Sequence, residues 1–263
     1  MNAVVAIAKT TVGEAIRRKV LLIILLIGAL LLAIAPALEA LSPRQEMTVL
    51  RALTLGVIQM TSAVIAVVLT VYMIPNEIER RTIYTILSKP VRRWQFLVGK
   101  YLGAVSALGL MMALMTLVML FVFLITRKVD GVSELAAIAK VPFAFFVQMS
   151  LLAAVAVFFS TFVSPIVNFF LSGGVYLVGT LFDSFFKTLS ESKDVPQALK
   201  GVAIVIHLLV PNFQSFNVQN AAVNPGQGIQ GEGIMYLNLA LYAFTYIAIL
   251  LIGGIIVFEN REV

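Results

Sequence analysis

Eight charged side chains crowd into residues 75–100: Glu77, Glu79, Arg80, Arg81, Lys89, Arg92, Arg93 and Lys100. At roughly 2.5 to 3.5 kcal/mol per charge at a bilayer centre, burying them in lipid would cost on the order of 20 kcal/mol, which predicts a loop in water or at the interface. Over 76–87 the pattern fits a short helix that presents Ile78, Ile83, Ile86 and Leu87 to an apolar cleft on a partner, flanked by ionic contacts from Glu77, Glu79, Arg80 and Arg81. Pro90 ends that helix, and Arg92, Arg93 and Trp94 anchor the return at the lipid surface. An enzyme within the membrane would need nucleophiles, acids or metal ligands gathered at membrane depth, and the chain has a single histidine, His207, more readily a structural residue than a ligand. With no cysteine there is no thiolate nucleophile or zinc-thiolate site. We expect no catalytic residue, no metal site and no cofactor bound by this chain.

A second polar set recurs at helical spacing. Asn168, Ser172, Tyr176, Thr180 and Asp183 fall along one side of a helix, a stripe that must face protein or water in a bilayer. It reads equally as the lining of a pathway or as helix-to-helix adhesion. Gln59, Ser62, Gln148 and Asn238 belong to the same interior in this reading.

The elements that position these residues are membrane spans. Hydrophobic residues make up 60% of the chain and charged ones 12%, against about a quarter charged in soluble domains. The mean hydropathy is +1.01. An all-α integral membrane protein follows, a single transmembrane domain over 1–263 with spans at about 20–40, 52–74, 101–125, 141–163, 166–186 and 234–258. Residues 1–19 carry Val4, Ile7, Ala8, Thr11 and Ala15 on one stripe, the pattern of an interfacial helix, and the first apolar run is read as a retained span rather than a cleaved leader. Gly99, Gly103 and Ala107 form a small-residue ridge suited to close helix packing. The apolar piece 201–210, bounded by Lys200 and Pro211, is too short to cross and suits a re-entrant or interfacial segment. The rest of the 187–233 connection, rich in turn formers, reads as an exposed irregular cap.

Six spans place both termini on one side. The N-terminal segment, the 75–100 loop and the tail hold eleven of the 19 Lys and Arg residues, so this side is cytoplasmic and 187–233 lies outside the cell membrane. The net charge of +6 reflects this orientation and not a nucleic-acid surface, since the basic residues sit beside apolar runs.

The central loop resembles that of the permease subunits of the ABC type-2 transporter family. The acidic pair is Glu77 and Glu79, followed by Thr82, Ile86-Leu87, Pro90-Val91, Arg92-Arg93 and Gly99-Lys100; Arg81 replaces the family's glycine before the threonine. The resemblance implies a coupling helix that docks on a separate ATP-binding subunit carrying ATP and magnesium. It also implies a second permease subunit, identical or not, and more often export than import. No G-x-x-x-x-G-K-[ST] occurs in the chain, so ATP hydrolysis would belong to another polypeptide. A secondary transporter or channel not driven by ATP is the alternative, and a structural anchor for a cytoplasmic complex a third reading.

The orientation is checked by cysteine labelling, because the chain has none of its own. An impermeant maleimide applied to intact cells is expected to label Ser192→Cys and to spare Ser88→Cys until the membrane is permeabilised. Labelling of Ser88→Cys in intact cells would overturn the orientation.

Overall fold

The computed structural model describes residues 3–39, 46–75, 77, 91–126, 131–181, 210–218 and 232–260. Outside them lie most of the expected coupling segment (78–90), Asp183, His207 and the apolar piece before Val210. Seven α-helices and one 3-10 turn, with no strand, make up the described residues. They are α1 (Ala3–Arg17), α2 (Lys19–Glu39), α3 (Glu46–Val71), α4 (Arg93–Thr126), α5 (Val132–Ser160), α6 (Pro165–Thr180), the turn Gln214–Phe216 and α7 (Glu232–Glu259).

Five of these helices, α2, α3, α4, α5 and α7, are long and apolar enough to cross a membrane. Each coincides with an expected span, whereas α6 is a shorter apolar helix of 16 residues opened by Pro165 in its first turn. The organising helix is α5: 78% of its most apolar stretch is buried, against 22% for α2 and 17% for α7. α3, α4, α6 and α7 pack against α5, α1 and α2 lie outside them, and large apolar side chains point away from the bundle, including Leu26 and Leu30 of α2, Phe121 of α4, Phe170 of α6 and Phe244 of α7. In water such a surface would drive aggregation; in hydrocarbon it is the solvated face.

The stripe read on α1 and the glycine ridge read on α4 meet each other. A Cβ on Gly103 would stand 2.6 Å from Thr11 Cβ and 2.8 Å from the Ala8 carbonyl oxygen, and one on Gly99 would stand 2.9 Å from Ile7 Cβ. The backbones therefore approach as closely as only glycine permits. Thr11 and Ala15 are buried in this contact, and α1 is held along α4 by direct packing in addition to any interfacial affinity.

Two expectations are corrected. The loop expected to run to Lys100 ends earlier, because α4 begins at Arg93, where the Gln95 side chain accepts a hydrogen bond from the Arg92 N–H at 3.0 Å and so closes the first turn. The expected exposed cap is not exposed over 211–218, where Pro211, Phe213, Phe216 and Val218 are buried in the bundle. Its prolines and asparagines mark turns, but its apolar side chains are drawn inside while Ser215 and Asn217 stay exposed.

Replacing Gly103 with valine is expected to push α1 off α4 and to destabilise the protein by about 1–3 kcal/mol, the usual cost of overpacking. Gly13→Ala, at a site with nothing within 4 Å, is the control and should be neutral. Melting of the purified protein in detergent, followed by size-exclusion fluorescence, checks both.

Candidate functional site

The charged loop residues that the structure describes gather at one end of the bundle. Lys100, two turns into α4 on its buried face, is only 3% exposed. Its Nζ lies 2.5 Å from Glu77 Oε1, just beyond the end of α3, and 3.5 Å from Glu14 Oε2 on α1. The ammonium also stands 5.8 Å from the Phe96 ring centroid, within cation–π range. A charge counted from the sequence as lying in water is thus inside the protein, compensated by carboxylates from two other elements. Burial without those partners would be prohibitive.

Arg93, half-buried, also has partners within the protein. Its Nη1 donates to the Phe258 and Glu259 carbonyl oxygens, at 2.9 and 3.0 Å, capping the C-terminus of α7 where helical carbonyls lack partners and the dipole favours a cation. The guanidinium stands 5.8 Å from the Phe258 ring centroid, and Phe96 stacks on Phe258 at 6.1 Å. Beneath these rings, Ile74, Leu97, Tyr101 and Val157 fill a small separate apolar core. The two ends of the 78–90 segment are therefore fixed to the bundle, one through Glu77 and the other through Arg93, while Arg92 and Trp94 are exposed beside them. Of the residues expected to couple to a partner, Ile78, Glu79, Arg80, Arg81, Thr82, Ile83, Ile86, Leu87 and Pro90 lie outside the described residues.

The polar stripe of α6 divides into parts. Asn168 and Ser172 are fully buried; Asn168 Nδ2 donates to the Ala156 carbonyl of α5 at 2.9 Å, and Ser172 Oγ donates to Asn168 Oδ1 at 2.8 Å. The first of these bonds joins α6 to α5, and the second, within α6, orients the Asn168 amide. Thr180 turns back on its own helix, donating to the Leu177 carbonyl. Tyr176 instead hydrogen-bonds Gln59 of α3 and sets its ring edge-on to Phe213 at 5.5 Å.

From Tyr176 a polar chain crosses the interior. Gln59 Nε2 donates to Gln148 Oε1 on α5 at 3.2 Å, and Gln148 Nε2 donates to the Phe213 carbonyl at 2.9 Å. The segment carrying Phe213 is also fixed by the Asn212 N–H, which donates to Tyr242 Oη of α7 at 2.8 Å. Gly179 admits it: a Cβ there would stand 2.5 Å from the Phe213 ring and 2.6 Å from the Pro211 carbonyl oxygen. A non-helical backbone inside the bundle is tolerated because donors on α5 and acceptors on α7 receive it. Gln59 and Gln148 thus share one interior with Tyr176, as their spacing implied, whereas Asn238 does not: it is exposed on α7, next to Leu239 on the buried face. Sequence reasoning missed Phe213, whose role was hidden because an irregular backbone carbonyl has no sequence signature.

At the opposite end of the bundle, Arg51 of α3, 4% exposed, pairs with Glu134 in the first turn of α5. Lys140 and Glu232 form an exposed pair at 3.2 Å that spans α5 and α7.

Comparison with known proteins gives one result over almost the whole chain. The model of a family described as "ABC-2 family transporter protein" matches residues 5–263. A search of curated proteins found no match.

Gln148→Leu is expected to leave the Phe213 carbonyl and the Gln59 amide without partners and to destabilise the packing of 210–218 by about 1–2 kcal/mol. The readout is the rate at which Val218→Cys, at a buried position of the segment, reacts with a maleimide, which should rise several-fold in the Gln148→Leu background. An unchanged rate would mean that apolar packing alone holds the segment.

Proposed function

Because the chain belongs to the ABC-2 transporter family, we propose that it is the membrane-spanning permease of an ATP-driven transporter whose ATP-binding subunit docks on the 75–100 region. The observation that carries the proposal is the family match across residues 5–263, which takes in all five helices long enough to cross a membrane. It is a multi-pass membrane protein of an ABC transporter system, and such a membrane component is not itself the catalyst. Hydrolysis of ATP, with its magnesium, belongs in this reading to the partner, consistent with a chain that contains no phosphate-binding lysine motif.

The finer features are part of the same proposal. α6 covers about 24 Å at 1.5 Å per residue, and the apolar sequence continues to Phe186, long enough for a sixth crossing. Six crossings and the excess of Lys and Arg on the termini and the 75–100 region put these in the cytoplasm of a cell carrying the protein in its plasma or inner membrane. The anchoring of Glu77 and Arg93 supports docking at this end: a segment tied to the bundle at both ends can pass a displacement to α4 and α7. Pairing with a second permease subunit and transport outward complete the reading. Along the interior, Tyr176 with Gln59 and Gln148 is the polar lining we assign to the pathway, together with Asp183, while Asn168, oriented by Ser172, holds α6 to α5 and Thr180 bonds only its own helix.

Reversing the charge of Glu79 together with Ile83→Asp tests the docking surface. The double variant should insert normally yet recover at least roughly tenfold less ATP-binding subunit on affinity purification, about 1.4 kcal/mol of lost association. Full recovery of the subunit would rule out this surface as the docking site.

A further inference from the structure

Lys100 occupies a place that neither membrane insertion nor docking of a partner requires. A lysine at the mouth of a span normally extends to the water–lipid interface, its ammonium hydrated at little cost. This one is 3% exposed, turned into the protein, and its three donors are directed to a site between three elements. Glu77, whose side chain is 13% exposed, closes the site from the end of α3; Glu14, 53% exposed, closes it from α1; Phe96, one turn back on α4, floors it. Glu77 is also the last described residue before the 78–90 segment. Its backbone N–H still bonds the Ile74 carbonyl, at 3.1 Å, so the clasp is applied where the chain leaves α3.

We propose that Lys100 is a positioning residue, the pin of an ionic clasp that fastens the head of the 78–90 segment to both α1 and α4, so that the three move as one body. The packing around it is built for that purpose. Two turns of α1 lie against Gly99 and Gly103, the residues that flank Lys100, at distances that leave no play between the helices. α1 therefore cannot follow a displaced segment by sliding on α4; it moves with α4 or separates from it. A stabilising pair needs only to neutralise the lysine, whereas a clasp needs the charge and its direction. This inference rests on the docking reading above only in its consequence, since a force applied to the segment would reach α1 through Lys100.

The test uses the full chain in lipid nanodiscs, with nitroxides on Lys9→Cys of α1 and Tyr72→Cys at the end of α3 beside Glu77, both exposed. In the parent, pulsed-dipolar spectroscopy should return one narrow distance population. Lys100→Met is expected to broaden it at least twofold, and Lys100→Arg to keep it narrow. The decisive variant combines Lys100→Met with Glu77→Leu, which removes both buried charges and so should melt near the parent while the distances stay broad. A parental distribution in that double variant would overturn the clasp, as would an unchanged one in Lys100→Met. Recovery of the ATP-binding subunit is measured on the same samples. Broad distances with full recovery keep the clasp and sink the docking assignment, and narrow distances with lost recovery do the reverse.

Discussion

Lys100 is held at 3% exposure by carboxylates that come from two other elements, and its end of the bundle is shaped around it. A buried ammonium with no counter-charge is among the most costly groups a protein can hold, and removing one member of a buried pair typically costs about 3–5 kcal/mol. The positions of α1, of the end of α3 and of the start of α4 are consequently linked. Arg93 extends the arrangement to the last helix by capping α7 from the first turn of α4. Four of the seven described helices are thereby joined at one end by ionic or charge-assisted contacts from one short region of sequence.

The other half of the bundle is held differently. Lipid gives apolar helices little reason to prefer each other, so close backbone approach and hydrogen bonds must do the selecting. Here the selection runs through α5, which accepts from Asn168 of α6, is joined to Gln59 of α3, and donates to the irregular segment at Phe213. Gly179 lets that segment in and Tyr242 holds its far side. The result is an interior in which a loop, not a helix, supplies part of the packing.

Much of this was legible in the sequence because lipid imposes length and polarity so strictly. The five long helices fall where apolar runs do, and both the α1 stripe and the Gly99–Gly103 ridge follow from helical spacing. That the two face each other was not legible, since spacing describes one helix at a time. Lys100 was misplaced because the charge cost was reckoned against lipid, whereas the protein offered Glu14 and Glu77 at the same depth. Asn238 was placed inside by composition alone, yet the buried face of α7 runs through Leu239, Ala243 and Gly254 and leaves Asn238 outside it. The 211–218 segment was read from its turn formers, which report backbone shape and not depth. Only Phe213, Phe216 and Val218 carry the signal for burial, and no periodicity organises them.

The central claim is that the 75–100 region is where an ATP-binding subunit meets this permease. Replacing Ile83 with a photo-crosslinking amino acid and irradiating native membranes tests it without disturbing the charges. The account predicts a covalent adduct with a polypeptide that carries the G-x-x-x-x-G-K-[ST] motif, identified by mass spectrometry. Adducts formed only with lipid, or only with polypeptides lacking that motif, would contradict it.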